Sequence, residues 1–406
     1  MRQQDDLPSL LLLPYPPDPL SRVALNAAYR PSLKSALAKL KRPTGPSKLI
    51  VAVASPILHG QFRSAKTLSW PEAQALVAGV YSIISIVCAE LGIGTEVDGG
   101  PNSVDTTVIL IDDDRDKTYS PDFRPAIEPN NTVIVDMATF ASAYFPWNSI
   151  FSVRSELGFQ VYKTFLEFAE GKQTILQSQL VPVEGGLTLN VAKGDSPALP
   201  TQTRTYPVVC LGGTFDYLHP GHKLLLTAGA LLLRVPRQGE RCPPCRYIIG
   251  ITGDEMLRNK KFAEYVQTWE ERSRNVIFFL AQLLELSSRG WKDGTRPRID
   301  EKDGDFKATF RDGAIQVECV RIQEAFGPTI TVKEIEALIV SGETRSGGQA
   351  VNEKRIEQGW NALDVFEVDV LDAEEVSDEP TKTENFASKI SSSVIRQQRA
   401  ARGTKI

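Results

Sequence analysis

The chain has 406 residues, enough for two domains that each bury a core. Hydrophobic residues make up 42% and charged residues 24%, and the formal net charge is −4. That balance belongs to a globular protein and excludes a general nucleic-acid or membrane surface, so basic groups should be local, gathered where an anion sits. The five cysteines are scattered and odd in number, which excludes a disulfide framework and points to a reducing compartment, the cytoplasm. Cys242-Pro-Pro-Cys245 has zinc-ligand spacing, but no second pair or nearby histidine completes a site, and it reads as a surface loop. Leu10 to Leu13 is too short for a signal-peptide core, and no apolar run reaches the ~18 residues of a membrane span.

In chain order, residues 1 to 8 read as frayed and Leu10 to Leu13 as a strand closed by prolines. Lys34 to Lys41 is basic and fits a helix. Leu49 to Ala54, Val108 to Ile111 and Val133 to Val135 read as buried strands. Ser69-Trp-Pro-Glu72 has the form of a capping box opening a helix to about Leu91, and residues 151 to 170 read as another helix. Strands alternating with helices give a first α/β domain over residues 1 to 175, in which no motif assigns a chemistry. Residues 176 to 205 turn to Gln, Ser, Gly, Pro and Thr and read as a linker.

The second domain spans residues 206 to 406. Tyr206 to Cys210, Tyr247 to Ile251, Ile315 to Ile322, Glu336 to Val340 and Val365 to Val370 are its expected strands, and Glu270 to Leu286 is its longest helix. A further helix is expected around Lys260 and Lys261, a mobile insertion at 287 to 312 and an acidic mobile stretch at 372 to 384. The fold class is therefore α/β, with a C-terminal Rossmann-like doubly wound parallel sheet, whose ligands sit beyond the strands' C-terminal ends.

Three segments there offer donors to phosphate. Gly212-Gly-Thr-Phe-Asp-Tyr-Leu-His-Pro-Gly-His222 joins a strand to a helix N-terminus and holds two of the three histidines. Ser341 to Gly348, with Asn352 and Arg355, follows the next-to-last strand. Ser391-Ser-Ser393 precedes Arg396. Each segment alone has a structural explanation as a turn or cap. Together, at the mouth of one sheet, they describe a place for a triphosphate.

The Gly-Thr-Phe-Asp…His-x-Gly-His and Ile-Ser-Ser…Arg segments resemble the nucleotidylyltransferase superfamily. Val340 to Asn352 and Gly250 to Lys260 resemble the corresponding segments of eukaryotic phosphopantetheine adenylyltransferases, over roughly residues 205 to 400. The resemblance implies transfer of AMP from ATP to 4′-phosphopantetheine, with Mg²⁺ arriving with ATP. It implies that Thr214 and Lys260, rather than adjacent Lys261, hold the attacking phosphate, and that His222 stabilises charge on the α-phosphate. His219 and Ser391, Ser392 and Ser393 would hold the outer phosphates. Arg345 and Arg396 would clamp phosphate, and Gly212, Gly213, Phe215, Gly221 and Gly347 would line the ATP site. Asp216 is read as fixing the turn.

No G-x-x-x-x-G-K-[ST] segment occurs, so the kinase that follows this domain in animal coenzyme A synthases is not expected. The sequence assigns no role to residues 1 to 175; full activity of the second domain alone would make the first a regulator or a docking platform for other enzymes of coenzyme A synthesis. Rival readings are another adenylyl- or cytidylyltransferase of the superfamily, or a scaffold with an inert transferase half. The Lys389 to Ser393 run also mimics the serine loop of class I aminoacyl-tRNA synthetases, but the stretch between His222 and Lys389 leaves no room for an editing or anticodon domain.

Overall fold

A computed structural model describes residues 7–60, 66–97, 99–114, 130–143, 146–188, 202–237, 239–285, 297–368, 391–401 and 403. The first half runs β1 (Ser9–Leu13), α1 (Arg22–Leu40), β2 (Ser47–Ser55), β3 (Leu58–His59), β4 (Thr67–Leu68), α2 (Trp70–Leu91), β5 (Val104–Asp112), β6 (Val135–Asp136), α3 (Met137–Ala143), β7 (Ile150–Arg154), α4 (Glu156–Ala169) and β8 (Leu180–Glu184). Six of these strands form one parallel sheet, in the order β6-β5-β2-β1-β7-β8. Its central strand is a run of four leucines at no more than 1% exposure, as a sheet covered on both faces requires.

The second half runs β9 (Val208–Gly213), α5 (Pro220–Ala230), β10 (Cys245–Thr252), α6 (Trp269–Leu284), β11 (Ile299–Lys302), β12 (Asp305–Phe310), β13 (Ile315–Ile322), β14 (Ala337–Ser341), α7 (Arg345–Glu357), β15 (Asp364–Val368) and α8 (Ser392–Ala401). Its seven-stranded sheet has the order β11-β12-β13-β10-β9-β14-β15. The five expected strands are its parallel part, and the β11–β12 hairpin adds an antiparallel edge to β13. The chain winds from β9 through β10 to β13, then returns to the other side of β9 as β14. That reversal puts the crevice of a doubly wound sheet between the C-terminal ends of β9 and β14.

The first sheet reverses in the same way, β1 lying between β2 and β7. There the central strand runs into Pro14-Tyr-Pro-Pro17, where β9 runs into Gly-Gly-Thr. One hydrophobic core extends through both sheets, a second and smaller one that includes Cys210, Ile248 and Val340 packs on the second sheet, and α2 packs on both α1 and α5. Gly229 permits the close approach of α5 to β10, since a Cβ there would lie 2.2 Å from the Tyr247 hydroxyl oxygen.

Several sequence expectations are corrected. The span 176–205 is not all linker, because Leu180–Glu184 is β8, an edge strand of the first sheet; 189–201 lies outside the described residues. Part of the expected insertion, Ile299 to Phe310, is the β11–β12 hairpin, while 286–296 lies outside the described residues. Residues 151–170 divide into the end of β7 and then α4, because Ser155 caps the helix by accepting from the Gly158 N–H. Ser69 precedes α2 but makes no side-chain cap bond. Lys260 and Lys261 sit between two short 3-10 turns, Asp254–Leu257 and Ala263–Tyr265, and not on a helix. Helix α2 is long and apolar enough to cross a membrane by composition, with 72% of that window buried inside the protein, as in a core helix. The expectations for residues 1–6, 369–370 and 372–384, and for Lys389 and Ile390, fall outside the described residues.

Candidate active site

The site is built on the turn after β9. Gly213 lies flat against the next aromatic ring, its missing Cβ leaving only 2.9 Å to Phe215. Phe215 and Tyr217 have φ of 53° and 44°, a left-handed conformation that costs aromatic residues about 1–3 kcal/mol each. The surroundings hold it. The Tyr217 N–H donates to the Gln267 side chain at 2.8 Å, and the Gln267 N–H donates back to the Asp216 carboxylate at 3.0 Å. The Tyr217 hydroxyl donates to the Tyr265 carbonyl at 2.6 Å.

This turn delivers the chain to α5, whose first residues are Pro220 and Gly221, with His219 as N-cap. The His219 and His222 rings stack at 3.9 Å between centroids and 21° between planes. Phe215 lies against His222, 5.3 Å between ring centres. A Cβ on Gly221 would crowd the His219 ring at 3.3 Å, so glycine lets the imidazole lie along the turn. Burial, with the Lys223 ammonium adding, pushes His219 down to about 3. Burial, then His219 and then the Lys260 ammonium, holds His222 well below its usual range. Both rings are therefore neutral near pH 7. Their Nδ1 atoms are buried and have no hydrogen-bond partner among the described residues, an arrangement that costs free energy.

Thr214 is half-buried, its carbonyl accepting from Arg272 at 2.7 Å. Arg272 is fully buried and also donates to the Thr252 carbonyl at 2.8 Å and to the Asp254 carboxylate at 2.6 Å. It thus ties the ends of β9 and β10 together. The sequence reading missed both Arg272 and Gln267. A cation in the first turn of a helix, where the dipole favours anions, was the available signal for Arg272. Lys260 and Lys261 are both exposed, but it is the Lys260 charge that reaches His222, while the Lys261 carbonyl accepts from Arg396 at 3.1 Å.

The serine turn docks on the same loop. The Ser392 hydroxyl donates to the Asp216 carbonyl at 2.8 Å, Ser391 accepts from the Val394 N–H at 3.4 Å, and Ser393 accepts from Arg396 at 3.0 Å. Arg396 itself is buried and binds the Asp216 carboxylate, so it is a strut that fixes α8 and not a clamp open to phosphate as the sequence reading had it. Arg345, also read as a clamp, heads α7 at the end of β14, and there its exposed guanidinium grips the Glu367 carboxylate at 2.6 Å. Gly347 lies exposed in the same helix. Asn352 and Arg355 are corrected: Asn352 exchanges hydrogen bonds with the Leu363 backbone, and buried Arg355 donates to carbonyls of Asn361, Thr329, Val332, Lys333 and Ile335.

Among the described residues no cluster of three or more His, Cys, Asp or Glu could hold a metal ion. The groups at the turn are imidazole, hydroxyl, ammonium and backbone N–H, which receive anions.

Residues 1–189 match a family model described as a domain of unknown function, DUF8446. The chain is 33% identical over 198 residues to the phosphopantetheine adenylyltransferase of Saccharomyces cerevisiae, a match covering 49% of this chain and 50% of that protein. It is 28% identical over 193 residues to the protein of that name from Thermococcus kodakarensis, covering 48% of this chain and 86% of the relative. With the Pyrococcus furiosus phosphopantetheine adenylyltransferase it shares 31% identity over 193 residues, covering 48% of this chain and 89% of that protein. The chain belongs to the phosphopantetheine adenylyltransferase family. The match spans only about half the length of the yeast member, while it takes in most of the archaeal members. Membership accords with the winding of the β9–β15 sheet and with the His-Pro-Gly-His segment at its central strand.

Proposed function

We propose that the protein transfers AMP from ATP to 4′-phosphopantetheine. A phosphate oxygen of the acceptor would attack the α-phosphorus, the bond from that phosphorus to the bridging oxygen would break, and dephospho-coenzyme A and pyrophosphate would form. The attacking group is already an anion, so no strong general base is needed, and positioning plus charge stabilisation carry the reaction.

The observation that carries the reading is the stacked pair of neutral imidazoles at the N-terminus of α5, against a strained turn at the sheet's winding reversal. A neutral imidazole can donate a hydrogen bond without giving up a full proton. In this reading His222 donates to the α-phosphate as negative charge grows there, and His219 and the serine turn meet the outer phosphates. Thr214 and Lys260 hold the acceptor phosphate. Arg396 acts by holding α8 against Asp216. Mg²⁺ would enter with ATP on the phosphate oxygens and partly neutralise the leaving pyrophosphate.

The test is pyrophosphate release by the purified protein with ATP and 4′-phosphopantetheine, beside parallel reactions with CTP and with a mononucleotide acceptor. Release specific to ATP and phosphopantetheine is expected. Turnover only with another nucleotide or acceptor moves the protein to a different transferase, and no turnover with any pair favours a scaffold.

A further inference from the structure

Helix α5, which carries His222 and has His219 as its N-cap, belongs to the second sheet, yet the first half of the chain holds this segment at three points. The Val97 N–H donates to the Leu218 carbonyl at 3.1 Å, one residue before His219. Lys223, directly after His222, has a side chain at 0% exposure; its ammonium pairs with the Asp105 carboxylate and donates to the Thr106 carbonyl at 2.8 Å, both on β5. At the far end of α5 the Ala228 carbonyl accepts from the Trp70 indole at 2.8 Å. Phe279 of α6 lies on another side of the ammonium, 5.9 Å from ring centre to Nζ. Among the described residues Asp105 is the carboxylate that pairs with this ammonium. A charge buried this deeply is retained only when paired and hydrogen-bonded, so the place of Lys223 is set by the place of Asp105.

We propose that Asp105 is a positioning residue for the transferase site. Through Lys223 it fixes α5, and so the placement of His219 and His222, which makes the first half of the chain a working part of the active site. In its kinetic consequence the inference rests on the function proposed above.

Asp105→Asn keeps the size of the side chain and removes its charge. A displacement of about 1 Å in a reacting group can cost about 10²-fold in rate, so kcat is expected to fall by about 10- to 100-fold. The KM for ATP and for phosphopantetheine should stay within about threefold, because ground-state binding is not what changes. The second readout is the ¹H–¹⁵N spectrum of the imidazoles, of which the chain has only three. The His219 and His222 signals should shift, with His59 in β3 as the internal reference. Val161→Ala, a cavity in α4 where it packs on β1 and β7, controls for stability loss alone and should leave both kcat and the spectrum unchanged.

Unshifted imidazole signals in Asp105→Asn, or an equal fall in kcat in Val161→Ala, would overturn the proposal. Should Asp105→Asn not fold, the paired change Asp105→Leu with Lys223→Met removes both charges and keeps the bulk. Displaced imidazole signals and a lowered kcat are then expected, and wild-type behaviour in that variant overturns the inference. If the wild-type protein releases no pyrophosphate from these substrates, the functional reading falls, and the imidazole comparison still decides the role of Asp105.

Discussion

Arg396 and Asp216, 180 residues apart in the chain, meet inside the protein at 2.5 Å between Nη1 and Oδ2. Neither side chain is more than 2% exposed. Removing one partner of such a buried pair leaves the other uncompensated, at a cost of about 3–5 kcal/mol. Asp216→Asn should therefore lower the denaturant midpoint and speed proteolytic cleavage near α8. A wild-type midpoint and cleavage rate would show that the strut does not hold the terminal helix.

The His222 ring stacks on His219 and lies tilted against Phe215, and its Nδ1 makes no hydrogen bond among the described residues. His222→Ala is expected to lower kcat by about 10²- to 10³-fold, the scale of losing one donor to a developing oxyanion. Circular dichroism and the thermal midpoint should stay near wild type. A wild-type rate of pyrophosphate release would remove the proposed role.

The two adjacent lysines should separate cleanly. Lys260 acts on His222 through space, whereas Lys261 is engaged through its backbone carbonyl. A charge-assisted hydrogen bond of about 1.5–3 kcal/mol corresponds to a fall in rate of about 10- to 100-fold for Lys260→Ala. Lys261→Ala should keep the wild-type rate. Steady-state kinetics of the two variants, run side by side, check this, and the reverse ranking would exchange the two assignments.

Acid should destabilise the protein through His219. Its folded-state value is about 3, against about 6.5 for an unfolded histidine. Between those values the unfolded chain binds a proton that the folded chain excludes. Stability from the neutral ring is thus present above pH 6.5 and is lost as pH falls toward 3, by about 2 kcal/mol at pH 5. Urea unfolding at pH 7 and pH 5 should show that loss, and His219→Gln should lose less between the same two pH values. Identical losses in the two proteins would assign the acid sensitivity elsewhere.

The parts of this fold that were legible in the sequence are those where burial dictates composition. Leu10 to Leu13, Leu49 to Ala54 and Tyr247 to Ile251 are continuous apolar runs because both faces of their sheets are covered. Edge strands escaped for the opposite reason. β8 contains Pro182 and two half-exposed residues, and β11 is Ile-Asp-Glu-Lys with three exposed residues, so each reads as loop. At the site, the spacing of His219, His222 and the glycines was visible as a pattern. The left-handed φ of Phe215 and the buried anchors Arg272 and Gln267 were not, because they depend on contacts between distant segments. Arg355 was misread because an arginine that satisfies carbonyls inside the protein has the same one-letter pattern as one that awaits a phosphate.

The two sheets wind alike, but the loop after β1 is built on Pro14, Pro16 and Pro17. Proline carries no backbone N–H, so that loop has little to extend to an anion. If the turn after β9 is the ATP site proposed above, calorimetric titration with ATP should saturate at a single equivalent per polypeptide, and a second equivalent would overturn this contrast between the two loops.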